Sequence, residues 1–282
     1  MRILYLGDVM GRAGREAVTA RLPGLRRDLA LDFAVVNVEN AAGGFGVTRA
    51  ICDEVLDAGA DCLVTGNHAF DQHKDIDVFD DERRLLRPLN FPEGNPGRGA
   101  SMIETRGGGL VMVIQVQGQV FMGPTGDPVP PLEAALEPVR LGRDCDAIVV
   151  DVHAEATSEK YSVGHMLDGR VSLVAGSHTH VPTADAQVLP GGTAFQCDTG
   201  MCGDYDSVIG MDKTRIVERF ATRLRGERPS PAMGAATLCG VFVETDDRTG
   251  LAVRCEPLRV GGRLSPVVPD GQQDAPREAQ TS

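Results

Sequence analysis

The side chains best suited to chemistry in this chain stand where apolar runs end. Ile3-Leu4-Tyr5-Leu6-Gly7 stops at Asp8, and Phe33-Ala34-Val35-Val36-Asn37-Val38 stops at Glu39-Asn40. Cys62-Leu63-Val64-Thr65-Gly66 stops at Asn67-His68, and Ala147-Ile148-Val149-Val150-Asp151-Val152 stops at His153. Val171-Ser172-Leu173-Val174-Ala175-Gly176-Ser177 stops at His178-Thr179-His180. Carboxylates, an amide oxygen and imidazoles together make a mixed oxygen and nitrogen ligand set, so the pattern points to a metal centre. Four of the six histidines (His68, His153, His178 and His180) lie at these ends, whereas His73 and His165 lie elsewhere and carry no assigned role.

Each of these residues also has an ordinary alternative. His178-Thr179-His180 is the most specific local feature. In a loop its two imidazoles can diverge to touch two neighbouring ions, yet a polar loop after a strand can carry the same letters. Asn67 offers a neutral, hard oxygen, which lets a site hold two cations without excess negative charge. His68, one residue on, would point elsewhere, towards a substrate, or be a turn histidine. Glu39 has two oxygens and could bridge two ions, with Asn40 adding an oxygen to one of them; Asn is also common where a loop starts. Asp8 reads equally as a ligand or as a turn or helix-capping residue. Thr157, Ser158, Glu159 and Lys160 follow His153 closely, and the Gly43-Gly44-Phe45-Gly46 loop adjoins Glu39, where its amides could meet phosphate. Both stretches read first as local structure.

These groups need a frame that gathers five strand ends. Short apolar runs bounded by turn residues are buried strands, and in layered α/β folds ligands sit beyond the carboxyl ends of such strands. Gly11-Arg12-Ala13-Gly14 is expected to turn the chain into a helix from about Arg15 to Leu29, interrupted or restarted near Pro23. Thr48 is a plausible N-cap for a helix through Ala58 that ends at Gly59. This β-α-β-α-β order predicts parallel strands joined by right-handed crossovers. Asn90 to Gly99 reads as a loop, and Ser101–Thr105 with Leu110–Gln117 reads as a hairpin around Arg106–Gly109. Ser158 to Leu167 and about Lys213 to Leu224 read as helices. From Gln187 onward short strands and turns dominate, and Ala235–Thr245 with Leu251–Leu258 forms a late hairpin. The economical result is one α/β domain over residues 1–260, a two-layer β-sandwich of mixed sheets flanked by helices. Gly261 to Ser282, polar and rich in Pro, Gly and Gln, is expected as a flexible tail.

Composition narrows the function classes. The chain has 282 residues, enough for a full core, and a net charge of −12, which argues against charge-driven binding of duplex nucleic acid. No run is long enough to span a bilayer, and the short start reaches Asp8 at once, so a cytoplasmic location is the default expectation and no membrane partner is expected. Seven cysteines without paired CxxC spacing read as buried free thiols. Oligomeric state is left open, a homo-oligomer included.

Gly7-Asp8, Gly66-Asn67-His68 and Gly176-Ser177-His178-Thr179-His180, in this order, resemble the signature blocks of calcineurin-like metallophosphoesterases. From Gly7-Asp8-Val9-Met10-Gly11 to His180-Val181-Pro182-Thr183-Ala184-Asp185 the chain is similar to one bacterial subfamily, the YmdB-like group, described as phosphodiesterases acting on 2′,3′-cyclic nucleotides. The resemblance covers about residues 1–260. Two positions depart from the broader superfamily. Met10 stands where a histidine is common, and a thioether is a poor ligand for hard cations. Glu39, with Asn40 beside it, stands where the bridging residue is usually aspartate; this pair is what points to the subfamily.

The resemblance implies metals at the carboxyl ends of the strands. Asp8, Glu39, Asn40 and His180 would hold one ion, and Glu39, Asn67, His153 and His178 the other. His68 would face the phosphate. It implies two divalent or trivalent ions, iron by preference, with manganese or zinc chemically acceptable. The implied reaction opens 2′,3′-cyclic nucleotides to nucleoside monophosphates by attack of a metal-bridging hydroxide, with His68 as general acid. The competing expectations are a phosphomonoesterase or protein phosphatase on the same metal core, and a nucleotide-sensing regulatory protein with slow turnover.

Overall fold

The computed structural model describes residues 1–224 and 228–271. In chain order the elements begin β1 (Arg2–Leu6), β2 (Asp8–Val9), α1 (Gly11–Asp28), β3 (Phe33–Asn37), α2 (Arg49–Asp57) and β4 (Cys62–Val64). A single turn of 3-10 helix (His73–Asp75), α3 (Val78–Asp81), β5 (Leu85–Leu86), β6 (Ala100–Glu104) and β7 (Leu110–Gln117) follow. Next come α4 (Val129–Leu136), β8 (Ala147–His153), α5 (Thr157–Met166), β9 (Leu173–Ser177), β10 (Gln187–Val188), β11 (Ala194–Gln196) and β12 (Met201–Asp204). Helix α6 (Lys213–Thr222) and the hairpin β13 (Ala236–Thr245) and β14 (Ala252–Val260) close the series.

Two mixed sheets face each other. One runs β2-β12-β13-β1-β3-β4-β5, with β14 on the free edge of β13; the other runs β10-β11-β9-β8-β7-β6. Successive residues of a strand point to opposite faces, and the burial follows that period of two. Ile3, Tyr5, Phe33, Val35, Cys62 and Val64 pack inward against Val111, Val113, Ala147, Val149, Leu173 and Ala175 of the second sheet. Their neighbours Leu4, Leu6, Ala34, Val36 and Leu63 face Val18, Leu22 and Leu25 of α1 and Ile51 and Val55 of α2. On the far side, Ile148, Val150 and Val152 pack under Leu132 and Leu136 of α4 and Val163 of α5. Strands β1, β3 and β4 are parallel, as are β7, β8 and β9, so their carboxyl ends emerge at one end of the sandwich.

Two local expectations need correcting. Helix α1 starts at Gly11, not near Arg15, because Gly11 itself makes the turn at φ 57° and leads directly into the first helical turn. The helix also runs through Pro23 without restarting. The proline ring lies on the solvent side, and the buried Val18, Leu22 and Leu25 on the other face hold the helix together despite the lost hydrogen bond. Thr48 caps α2 as expected, accepting from the Ile51 amide at 3.4 Å.

Of the stretch expected as a tail, residues 261–271 lie against the body. Val267 pairs with Arg259, and the Gly271 carbonyl accepts from Arg2 at 3.0 Å. Residues 272–282 lie outside the described residues. Among the described residues no helix is long and apolar enough to cross a membrane. All seven cysteines are free, and six are buried.

Candidate metal centre

At the shared end of the strands, four donor atoms close on one point. Around His153 Nε2 stand Asn67 Oδ1 at 3.0 Å, a Glu39 carboxylate oxygen at 3.1 Å and His178 Nδ1 at 3.1 Å. Beside this group lies a second one. Asp8, Glu39 and His180 bring ligand atoms within 4.8 Å of one another, and Asn40 Oδ1 lies 3.1 Å from His180 Nε2. Glu39 belongs to both groups. The structure thus brings together Asp8, Glu39, Asn40, Asn67, His153, His178 and His180, from five separate strand ends.

Local structure explains how each side chain is aimed. Asp8 opens β2, which pairs with β12 instead of extending β1. Asn37, the last residue of β3, accepts from the Glu39 amide at 3.0 Å and so turns Glu39 inward. Asn40 spends its amide nitrogen on the Gly44 carbonyl at 3.0 Å, which leaves its oxygen facing His180. Gly66 is glycine for space: a Cβ there would collide with Glu39 Oε2 and His153 Nε2.

Each imidazole has one nitrogen committed elsewhere, which fixes the other towards the cluster. His153 Nδ1 contacts Ser177 Oγ at 2.8 Å, and that hydroxyl donates to buried Asp151 at 2.7 Å. His180 Nδ1 contacts the Ile209 carbonyl at 2.8 Å. His178 Nε2 faces Glu155 at 3.3 Å. The pair His178 and His180 diverges because both residues adopt positive φ, 95° and 65°.

The electrostatics fit a cation. Burial raises the Asp8 carboxyl to about 6, against the pull of His180 and His153. Burial, reinforced by His153, drives the His178 imidazole down to about 3. Burial works against charge on Glu39 and on His153 too, but their mutual attraction holds the carboxyl low and the imidazole high. Asp8 Oδ1 is buried without a hydrogen-bond partner, although a buried carboxylate oxygen normally has one. An oxygen and nitrogen donor set with such an orphaned carboxylate oxygen suits hard to borderline divalent or trivalent ions. Met10, by contrast, packs in an apolar cluster with Met201 and Met211.

His68 stands at the rim. Its side chain is 28% exposed, Nδ1 meets Asp71 Oδ2 at 3.0 Å, and its ring lies edge-on to Phe45 with centroids 5.1 Å apart. The Arg228 guanidinium lies 4.0 Å from the Phe45 ring centroid. His73 and His165 are exposed and belong to neither donor group.

Sequence reasoning missed Asp71, Asp151, Ser177 and Arg228. Asp71 had a local signal, a carboxylate three residues after His68. The others meet their partners only through the fold.

The profile of the YmdB-like protein family matches residues 4–258, and the chain belongs to that family. A 2′,3′-cyclic-nucleotide 2′-phosphodiesterase of Bacillus subtilis is 43% identical over 92% of this chain and 97% of its own. Among solved structures, a hypothetical protein from Thermus thermophilus superposes with a TM-score of 0.85 at 40% identity, covering 93% of this chain and 100% of the other. A protein from Mycoplasma pneumoniae described as a novel phosphatase also gives 0.85, at 33% identity and 93% coverage of both chains.

Proposed function

We propose that this chain is a metal-dependent phosphodiesterase that opens 2′,3′-cyclic nucleotides to nucleoside monophosphates on two ions. The observation that carries this reading is the double donor group with Glu39 common to both halves. Asp8, Glu39, Asn40 and His180 would hold one ion; Glu39, Asn67, His153 and His178 the other. Bound there, the ions supply a deprotonated water nucleophile at neutral pH and neutralise charge on the phosphoryl oxygens. Oxygen-rich and imidazole ligands are compatible with iron, manganese or zinc.

The protein's own part is placement and proton delivery. Asp71 meets His68 Nδ1, which leaves Nε2 to face the departing oxygen; His68 has a proton to give there as the imidazolium, whose charge the Asp71 carboxylate would balance. Opening the ring forms a bond from water oxygen to phosphorus and breaks a bond from phosphorus to a ribose oxygen. His68 protonates that departing oxygen, a step worth roughly 10²–10⁴-fold. The Bacillus subtilis relative, a 2′-phosphodiesterase, supports the 2′ oxygen as the leaving group, with a 3′-monophosphate as product.

The test is an assay of purified protein on 2′,3′-cyclic AMP with added Mn(II) or Fe(II), with products separated by chromatography. Turnover to 3′-AMP is the expected result. Metal-loaded protein that leaves 2′,3′-cyclic AMP untouched while hydrolysing p-nitrophenyl phosphate would replace this reading with a phosphomonoesterase.

A further inference from the structure

We propose that the buried Lys160–Asp198 ion pair positions His178 and His180 for the two ions, an inference that rests on the metal-centre reading above. Both histidines hold positive φ, 95° and 65°, a region unfavourable to any side chain. Such strain persists only where surrounding contacts over-determine it. Asp198, on the loop between β11 and β12, supplies those contacts. Its Oδ2 accepts from the Thr179 amide at 3.0 Å, the Thr179 hydroxyl at 2.6 Å and Lys160 Nζ at 2.7 Å. Its Oδ1 accepts from the Gly200 amide at 2.8 Å, and its carbonyl accepts from the Thr183 amide at 2.9 Å. One residue therefore grips the loop at Thr179, between the two imidazoles, and again at Thr183.

Lys160 completes the clamp from α5. It is fully buried, and its stem runs past Gly176, where an added Cβ would lie 2.9 Å from Lys160 Cδ. A buried ammonium and carboxylate lose hydration that an apolar pair of similar size would never forfeit, so stability is a weak reason for the pair. Its location is a stronger one. The clamped Thr179 is the residue from which His178 Nδ1 turns to His153 and His180 Nε2 turns to Asn40, at 3.1 Å in each case. Without the carboxylate, the Thr179 amide has no acceptor to hold it in this turn.

The inference is tested by calorimetric titration of the full chain with Mn(II), alongside thermal unfolding of the metal-free protein. Three variants are compared. Lys160→Met removes the ammonium at nearly constant volume, Thr179→Val removes only the hydroxyl contact, and Arg26→Met breaks the partly buried Arg26–Asp61 pair at the amino end of β4, as a stability control. Outer contacts to metal-binding histidines typically carry about 10–100-fold in affinity. Lys160→Met and Thr179→Val are therefore expected to weaken Mn(II) binding by about that factor. Arg26→Met is expected to lower the unfolding temperature and leave Mn(II) affinity at the wild-type value. Wild-type affinity in Thr179→Val and Lys160→Met overturns the inference, as does an equal loss of affinity in Arg26→Met. If Lys160→Met fails to fold, Thr179→Val decides alone. Wild-type protein that binds no Mn(II) overturns the metal-centre reading and this inference with it.

Discussion

His153 ends one buried strand and His68 follows another at the same end of the sandwich, yet their surroundings differ. His153 is wholly buried, with Asn67, Glu39 and His178 at its Nε2 and the Ser177–Asp151 relay at its Nδ1. His68 is partly exposed, with one carboxylate on its ring and a phenyl edge beside it. The interior group is fixed by strand ends and by hydrogen bonds that leave little rotameric choice. The rim group hangs on the segment after β4 and on the Gly43–Gly46 loop. An ion demands fixed donors, whereas a substrate must enter and leave. On the proposed function, the two regions divide along those demands.

The contrast can be broken by substitution, and the largest effects belong to the interior. Glu39→Ala is expected to abolish binding of at least one ion and to lower kcat/KM by about 10⁴-fold or more, since metal ions supply several kcal/mol to the transition state. Elemental analysis beside the diester assay checks both halves of that statement. His68→Ala should lose about 10²–10³-fold in kcat while keeping its full metal content. Its deficit should shrink with bis-p-nitrophenyl phosphate, whose leaving group needs no proton; an equal deficit on both substrates would remove His68 from the proton-transfer step. Asp71→Asn is expected to cost roughly tenfold in kcat, because a half-exposed pair orients the ring less firmly than a buried one. Arg228→Ala is expected to raise KM by about 2–5-fold with kcat unchanged, the size of one exposed cation–π contact. A fall in bound metal in Arg228→Ala would show that rim and interior are not separable.

What was legible in the sequence follows the same division. Asp8, Glu39-Asn40, Asn67, His153 and His178-Thr179-His180 stood out because each interrupts an apolar run, and a strand of period two carries its register to its last residue. The parallel order followed from helices spaced between those runs. Lys160 was legible as a residue close behind His153 and as part of a helix, but its partner Asp198 is 38 positions away and no local pattern links them. Asp151 looked like a strand interior, and its bond to Ser177 exists only because β8 and β9 are neighbours in register. The α1 boundary was misplaced because a glycine-containing segment usually signals a turn, and here one glycine makes the turn while the rest is helix.

The first strand has an edge partner that arrives very late in the chain. Ile3 sits opposite Val243 on β13, and the Met1 amino group reaches the Thr245 carbonyl across 244 positions. Asp8 depends in the same way on β12, where it lies opposite Met201. During synthesis, β1 and β3 can pair early, but the open flank of β1 stays unsatisfied until β13 has emerged. Contacts of such long sequence separation slow folding, because loop-closure entropy is spent before they form. The donor group that contains Asp8 thus needs a strand made long after Asp8 itself. Asp8 therefore takes its place beside the other donors only after residues far along the chain have been made.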